Sequence, residues 1–389
     1  MSNLFQKVKR RIGPKIIRVL IGKRSPRPFS VPNKRIVVAG LFNTASGIGE
    51  SARLCFEGLK QTGYKVEALD VSWVFNMGDF EYENAHATAL KNPGSGGTLI
   101  LHLNGPETLS GLWRIGFRRW HKNWKVIGYW AWELPIPPPG WKTSARFLDE
   151  IWVPSRFVKE SLEPIVSIPI KIVPHAVGLT AIDERPRNTQ LQCLTMADGL
   201  SSFERKNIVG ALEAYIRAFP VETETKLIVK CRNLEANSSF LKIVDKIIFG
   251  RDDIELVTEV LDAEALESLF ATSDVLISLH RAEGFGLTIA EIMQAGNIAI
   301  CTAWSGNMEF VSKDSACLID YDLIKVNDPY NVYNSQNDAV WADPHIDQAA
   351  EFLKDIYHRR AAYDPLRDKA RQAIKSKLSP ENYGKALIN

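Results

Sequence analysis

The stretch "DVLISLHRAEGFGLTIAEIMQAG", residues 274–296, passes from an apolar run through a glycine-rich turn into a helical pattern. A short apolar run rich in β-branched residues reads as a strand buried on both faces. Gly284 and Gly286 then mark a strand-to-helix turn. Such a turn leaves the first N–H groups of the helix unpaired and aimed beyond the strand end, where phosphate binds well. Glycine also lets the backbone come close to a ligand. Two carboxylates, Glu283 and Glu291, bracket the turn. A carboxylate holds phosphate poorly but accepts hydrogen bonds from sugar hydroxyls, and an acid one turn into the helix can reach a ribose diol. Thr288 and Glu291 also fit the S/T-x-x-E capping box, which closes a helix start with two side chains. The two readings are compatible.

The same alternation extends outward. "RIVVAGLF" (35–42) reads as a buried strand, followed by a glycine loop with Gly47 and Gly49 and a helix closed at Gly63. "YKVEALDVS" (64–72) starts a second strand, and strands are expected at 97–104, 124–132, 149–155 and 168–177. Residues 178–190 are polar and periodless, as in a linker. A second series follows, with strands at 192–198, 225–231, 254–260, 274–280, 298–303 and 316–320. Helices are expected over 206–219, 238–248, 263–271 and after Gly286, and amphipathic helices at 343–358 and 365–376. Strand–helix alternation implies parallel βαβ units. The fold class is therefore α/β, with two tandem Rossmann-like doubly wound domains, 35–180 and 190–365, facing an interdomain cleft. A C-terminal helix segment, 366–389, is expected to pack back on the first domain. Ligands in such sheets bind beyond the carboxyl ends of the strands.

At 389 residues the chain has room for two domains, and 45% hydrophobic with 24% charged residues is ordinary for a soluble protein. No uncharged apolar run approaches the roughly 18–20 residues that span a bilayer. The early patch "IIRVLI" is broken by Arg18. Five scattered cysteines without C-x-x-C spacing argue against a disulfide framework or a zinc site, and fit a cytoplasmic protein. The charge is uneven. Residues 1–35 hold eleven Lys/Arg and no acid, which leaves 37 basic against 45 acidic residues in the remainder. This arm (1–34) mixes cations with Leu, Phe, Ile and Val. It is expected to lie on an anionic membrane surface, with a solvated tail as the alternative. No nucleic-acid module follows it, so nucleic acid is not an expected partner. Seven of the ten tryptophans fall within 113–152, a density that points to core and loop packing more than to sugar stacking.

A second cluster, "DGLSSFERKN" (198–207), follows the first strand of the second series. Arg205 and Lys206 would bring two positive charges to the same edge, as a diphosphate requires. With these residues assembled, the sequence resembles the retaining glycosyltransferases of family 4, in particular mannosyltransferase-like members of bacterial polysaccharide assembly. The segments that carry the resemblance are "RAEGFGLTIAEIMQAGNIAICTAWSGNMEFV" (281–311), with its glutamate–seven residues–glutamate motif, "SSFERKN" (201–207), "IGYWAWELPIPPPGW" (127–141), "DEIWVPSRFVKESL" (149–162) and "VWADPHIDQAA" (340–350).

The resemblance implies a GT-B fold. It implies that Glu283 contacts the donor sugar, Glu291 the ribose, and Arg205 with Lys206 the diphosphate. Backbone amides along Gly284, Phe285, Gly286 and Leu287 would support the phosphates or the sugar. Gly47 and Gly49 match the family's glycine loop, near donor and acceptor. In "LHLNGPE" (101–107), where many members carry a histidine near the reacting centre, Asn104 aligns best and His102 stands two positions earlier. Both are catalytic candidates, together with Glu133 at the end of its strand. No metal cofactor is expected, in keeping with the lack of a convincing D-x-D element. The implied reaction is transfer of a hexose, mannose before glucose, from GDP-mannose or a UDP-hexose, with retention. The implied acceptor is a glycan or a polyprenyl-diphosphate-linked saccharide at the inner face of the cytoplasmic membrane, in exopolysaccharide or lipopolysaccharide synthesis. A glycoside hydrolase fits less well, because its two carboxylates normally come from separate elements and flank one bond. A noncatalytic GT-B subunit that binds sugar nucleotide is the other alternative.

Overall fold

A computed structural model describes residues 35–86, 96–116, 124–177, 189–199, 201–221, 223–234, 238–329, 332–333 and 338–388. The basic arm and nearly all of the expected linker lie outside the described residues. The chain forms two compact units. One contains the residues up to Trp132, Pro137–Ala176 and the segment from Ser379; the other contains Glu133–Ile136 and Val177–Leu378.

The first unit runs β1 (Ile36–Gly40), α1 (Gly47–Gln61), β2 (Val66–Asp70), β3 (Ala85–His86), β4 (Gly97–His102), α2 (Gly105–Arg114), β5 (Trp124–Tyr129), α3 (Trp141–Ala145), β6 (Glu150–Val153), α4 (Arg156–Leu162) and β7 (Ile170–Ile172). Its sheet is parallel, in the order β3-β2-β1-β4-β5-β6-β7. Successive strand residues point to opposite faces, so a strand covered on both sides must be apolar throughout. In β1, Val37 and Ala39 join one core cluster with Leu99, Leu101, Trp130 and Trp141. Ile36 and Val38 join the other, with Ile100, Trp152 and Tyr383. Four of the clustered tryptophans (Trp124, Trp130, Trp141 and Trp152) are thus core residues.

The second unit runs β8 (Leu191–Asp198), α5 (Phe203–Lys206), α6 (Ile208–Ala218), β9 (Thr225–Arg232), α7 (Ser238–Ile248), β10 (Ile254–Val257), α8 (Ala263–Thr272), β11 (Val275–Ser278), α9 (Leu287–Gln294), β12 (Ile298–Thr302) and β13 (Cys317–Ile319). Its sheet is also parallel, ordered β10-β9-β8-β11-β12-β13. A hairpin of β14 (Tyr321–Lys325) and β15 (Val340–Pro344) follows, then α10 (Ile346–His358) and α11 (Asp364–Lys377). In both sheets the strand order reverses direction beside the first strand, the place where sheets of this kind bind ligands beyond their carboxyl ends.

Two expectations need correction. Several strands stop short of their apolar runs: 97–104 ends at His102, 124–132 at Tyr129, and 168–177 spans only Ile170–Ile172. Leu103, Trp130 and Val173 stay buried after leaving the sheet, so hydrophobicity outlasts strand pairing. The C-terminal segment also divides elsewhere. Ala370 and Ile374 of α11 pack into the second unit's core. The first unit is rejoined at Ser379 rather than at 366. The last helix, α12 (Glu381–Ile388), buries Tyr383 there, and the Tyr383 hydroxyl accepts a hydrogen bond from the Ala176 amide at 3.3 Å. Among the described residues no helix is long and apolar enough to cross a membrane.

Candidate functional site

In the second unit the reversal falls between β8 and β11, which pair directly, with Val275 opposite Cys193. The loops after these two strands carry the charged residues singled out by sequence. After β8, the Ser202 side chain caps α5 by accepting from the Arg205 amide at 3.1 Å. Asn207 stops that single turn in a left-handed conformation, φ 53°, and its Oδ1 starts α6 by accepting from the Gly210 amide. The helix expected over 206–219 is therefore broken at Asn207. The break turns Arg205 and Lys206 toward the loop after β11, and Asn207 Nδ2 fastens the corner by donating to the Leu279 carbonyl at 2.9 Å.

Arg205 is only 4% exposed. Its Nη1 donates to the Ala282 carbonyl at 2.7 Å and stands 3.1 Å from Glu283 Oε2, while Nη2 donates to Ser201 Oγ at 2.8 Å. Lys206 Nζ donates to Glu283 Oε1 at 2.6 Å. Burial alone would push the Glu283 carboxyl upward, but Lys206 and Arg205 outweigh it and hold the group at about 2. Glu283 is thus an anion across the physiological range: an acceptor of hydroxyl hydrogen bonds and no donor of protons. Glu133 reaches the same cluster. Burial raises its carboxyl, Arg205 and Lys206 oppose that, and the neighbouring Glu283 charge adds to it.

Tyr333 completes the cluster and was missed in the sequence. Its buried hydroxyl bonds to Arg205 and feels the charges of Glu133 and Glu283. It is set there by Asp328, which accepts from the Tyr333 amide at 3.2 Å and from Ser202 Oγ at 3.4 Å. Nothing in its own segment signals this role, because the hairpin beyond β13 delivers it.

The glycine turn departs from the capping-box reading. Gly286, at φ 95°, is itself the N-cap of α9, and no side chain caps the helix. Thr288 lies inside the first turn, so the S/T-x-x-E box does not form. The uncapped helix start opens on a pocket lined by Lys206, Glu283, Gly286, Thr288 and Ile289, with Thr195 from within β8. The Phe285 side chain points away, 4% exposed and packed on Phe310 at 5.0 Å. Gly284 is buried and Leu287 packs against the same core. Glu291 lies one turn into α9 and is half-buried.

The remaining candidates belong to the first unit. Gly47 begins α1 with open space where a Cβ would stand. A Cβ on Gly49 would come within 2.5 Å of Thr44 Oγ1, and the Gly49 amide already donates to Ser46 Oγ. Gly49 is a packing glycine. His102 is fully buried at the end of β4, with Nδ1 2.7 Å from Ser51 Oγ and its ring stacked on Tyr129 at 4.5 Å. Burial, aided by His175, pushes it well down, so it is a neutral core histidine. Asn104 takes the N-cap position of α2, and its Oδ1 accepts from the Ala131 amide at 2.9 Å, tying down the chain after β5. The structure thus assembles Glu133, Arg205, Lys206, Glu283 and the Gly286 turn. His102 and Asn104 are not part of this cluster: His102 Nδ1 meets Ser51 while its buried Nε2 has no partner among the described residues, and Asn104 meets the Ala131 amide.

Residues 249–325, which contain Glu283, Glu291 and the glycine turn, match the family model of the glycosyl transferases group 1. Among curated proteins none matches the chain in sequence. Several solved structures are similar in fold. A glycosyltransferase from Rickettsia africae ESF-5 is 14% identical, with a TM-score of 0.62 over 91% of this chain and 96% of that one. Sucrose-phosphate synthase from Thermosynechococcus elongatus is 13% identical, with a TM-score of 0.65 over 91% and 97%. Anabaena HepE, solved in complex with UDP-glucose, is 9% identical, with a TM-score of 0.63 over 91% and 98%. The fold is GT-B, with two Rossmann-like domains, and the family match and fold together support a glycosyltransferase.

The ion cluster makes a prediction about acid. Because the Glu283 carboxyl lies lower in the folded protein than its usual value of 4.5, the stability it contributes is present above that value and lost as pH falls toward about 2. Urea unfolding midpoints followed from pH 6 downward, a range of about four units, should fall more steeply for wild type than for Glu283→Gln. Parallel profiles would show that Glu283 is not held ionised by its neighbours.

Proposed function

We propose that the protein transfers a hexose from a nucleoside diphosphate sugar, and that the donor lies in the pocket at the start of α9. The observation that carries this reading is Glu283, buried yet ionised between Arg205 and Lys206, beside a helix N-terminus without a side-chain cap. The helix start suits the diphosphate. Lys206, 24% exposed, is the cation placed to meet the charge that grows on the diphosphate as the glycosidic bond breaks. Arg205, turned toward protein groups, is assigned to Glu283: it keeps the carboxylate charged and fixed. Glu283 then accepts hydrogen bonds from the sugar hydroxyls and orients the ring, and Glu291 accepts from the ribose. Glu133, raised by burial, is a carboxyl close to the same charges and is assigned to the reacting end of the donor.

Mannose is the favoured sugar and glucose the next, with GDP-mannose or a UDP-hexose as donor, no metal, and retention at the anomeric carbon. The family resemblance supports these assignments, and the UDP-glucose complex of Anabaena HepE supports a UDP donor equally. The acceptor is assigned to the first unit, beside the open Gly47 loop. It is a glycan or a polyprenyl-diphosphate-linked saccharide, in bacterial exopolysaccharide or lipopolysaccharide synthesis. Neither His102 nor Asn104 is retained as a catalytic base.

Calorimetric titration with GDP, UDP, ADP and their hexose conjugates tests the donor site. One nucleotide should bind, and Glu291→Ala should weaken it by about 1–3 kcal/mol, the loss of a charged hydrogen bond. Absence of binding by all of them would overturn the donor assignment. The basic arm is assigned to the cytoplasmic membrane surface. Full-length protein should co-sediment with anionic vesicles, and removal of residues 1–30 should release it to the supernatant. Sedimentation unchanged by the truncation would contradict a membrane role for the arm.

A further inference from the structure

Glu283 is gripped by its backbone as well as by its charge. Its amide donates to Ser305 Oγ at 2.9 Å, and its carbonyl accepts from the Gly306 amide at 2.8 Å. Both partners sit in the turn after β12. Ser305 holds φ 79° and ψ −148°, a region that is essentially reserved for glycine and strains other residues. Gly306 cannot be anything else, since a Cβ there would stand 2.2 Å from the carbonyl carbon and oxygen of Gly284. Asn307 locks the turn from beneath. Its Nδ2 donates to the Thr302 carbonyl at 2.9 Å, and its Oδ1 lies 3.2 Å from Nε2 of the buried His280.

A glycine at 305 would adopt this conformation without strain. The chain instead carries a serine, 7% exposed, whose hydroxyl meets the amide of the central carboxylate. We infer that Ser305 is a positioning residue for the transfer reaction: its hydroxyl, held in a glycine-like backbone, fixes the Glu283 main chain so that the carboxylate presents to the donor sugar. This inference rests on the donor-site reading and deepens it. The Ser305 bond sets where Glu283 stands. The nucleoside diphosphate, gripped by the helix start and Lys206, does not depend on it. Ser305 should therefore govern turnover and leave nucleotide affinity alone.

The test separates the hydroxyl from the backbone. Ser305→Gly removes the bond and the strain together; Ser305→Ala removes the bond and keeps the strain. Hydrolysis of UDP-glucose and of GDP-mannose, with water as acceptor, gives kcat; titration with UDP and GDP gives Kd; urea unfolding gives stability. Ser305→Gly is expected to unfold at or near the wild-type urea midpoint. Its kcat should fall about tenfold, the factor equivalent to about 1.4 kcal/mol, with Kd unchanged. Ser305→Ala should lose the same factor in kcat and be less stable. Wild-type kcat in Ser305→Gly would overturn the inference, as would a loss of stability without a loss of turnover. Glu283→Gln is the control. If it turns over like wild type, the donor-site reading fails; if it is inactive while Ser305→Gly is not, only the positioning role fails.

Discussion

A carboxylate that is 7% exposed cannot remain charged unless opposite charges surround it, and the arrangement of the second unit follows from meeting that condition at Glu283. Arg205 and Lys206 come from the loop after β8, Glu283 from the loop after β11, 77 residues further on. Their meeting depends on the direct pairing of β8 with β11, which brings the two carboxyl ends to one edge of the sheet. The left-handed corner at Asn207 turns the cations inward, and the turn at Ser305 and Gly306 holds the carboxylate's main chain. Breaking one partner would leave a buried charge uncompensated, a far larger cost than the net value of the intact cluster. The cluster is therefore better read as a device for placing a charge than as a source of stability.

Much of the fold was legible because periodicity reports burial on both sheet faces. Val37 and Ala39 against Ile36 and Val38 illustrate how a continuous apolar run supplies two cores at once. What periodicity does not report is where pairing stops, since Leu103, Trp130 and Val173 remain buried outside their strands. The helix over 206–219 looked continuous, and its break at Asn207 depends on a side chain capping the next turn and reaching back to Leu279. The capping box at Thr288 failed for a related reason: Gly286, at positive φ, had already begun the helix.

The site was legible where chemistry sits on a sequence-local feature. Glu283, the glycine turn and the Arg205–Lys206 pair lie beside strand ends, and Glu133 could be expected near them for the same reason. Tyr333 could not, because a hairpin with no signature of its own carries it to Arg205. His102 is a different case: its residue type suggested catalysis, and the fold buries it against Tyr129 with Nδ1 at Ser51 and Nε2 without a partner among the described residues, which sequence alone does not report.

Glu283, Lys206 and the start of α9 are proposed to form one donor pocket, and a crystal structure of the full chain with UDP-glucose or GDP-mannose bound tests this directly. Diphosphate oxygens are expected at the amides of the first turn of α9 and at Lys206 Nζ, with sugar hydroxyls on the Glu283 carboxylate. A nucleotide sugar bound away from this turn, with Glu283 contacting only Arg205 and Lys206, would contradict it.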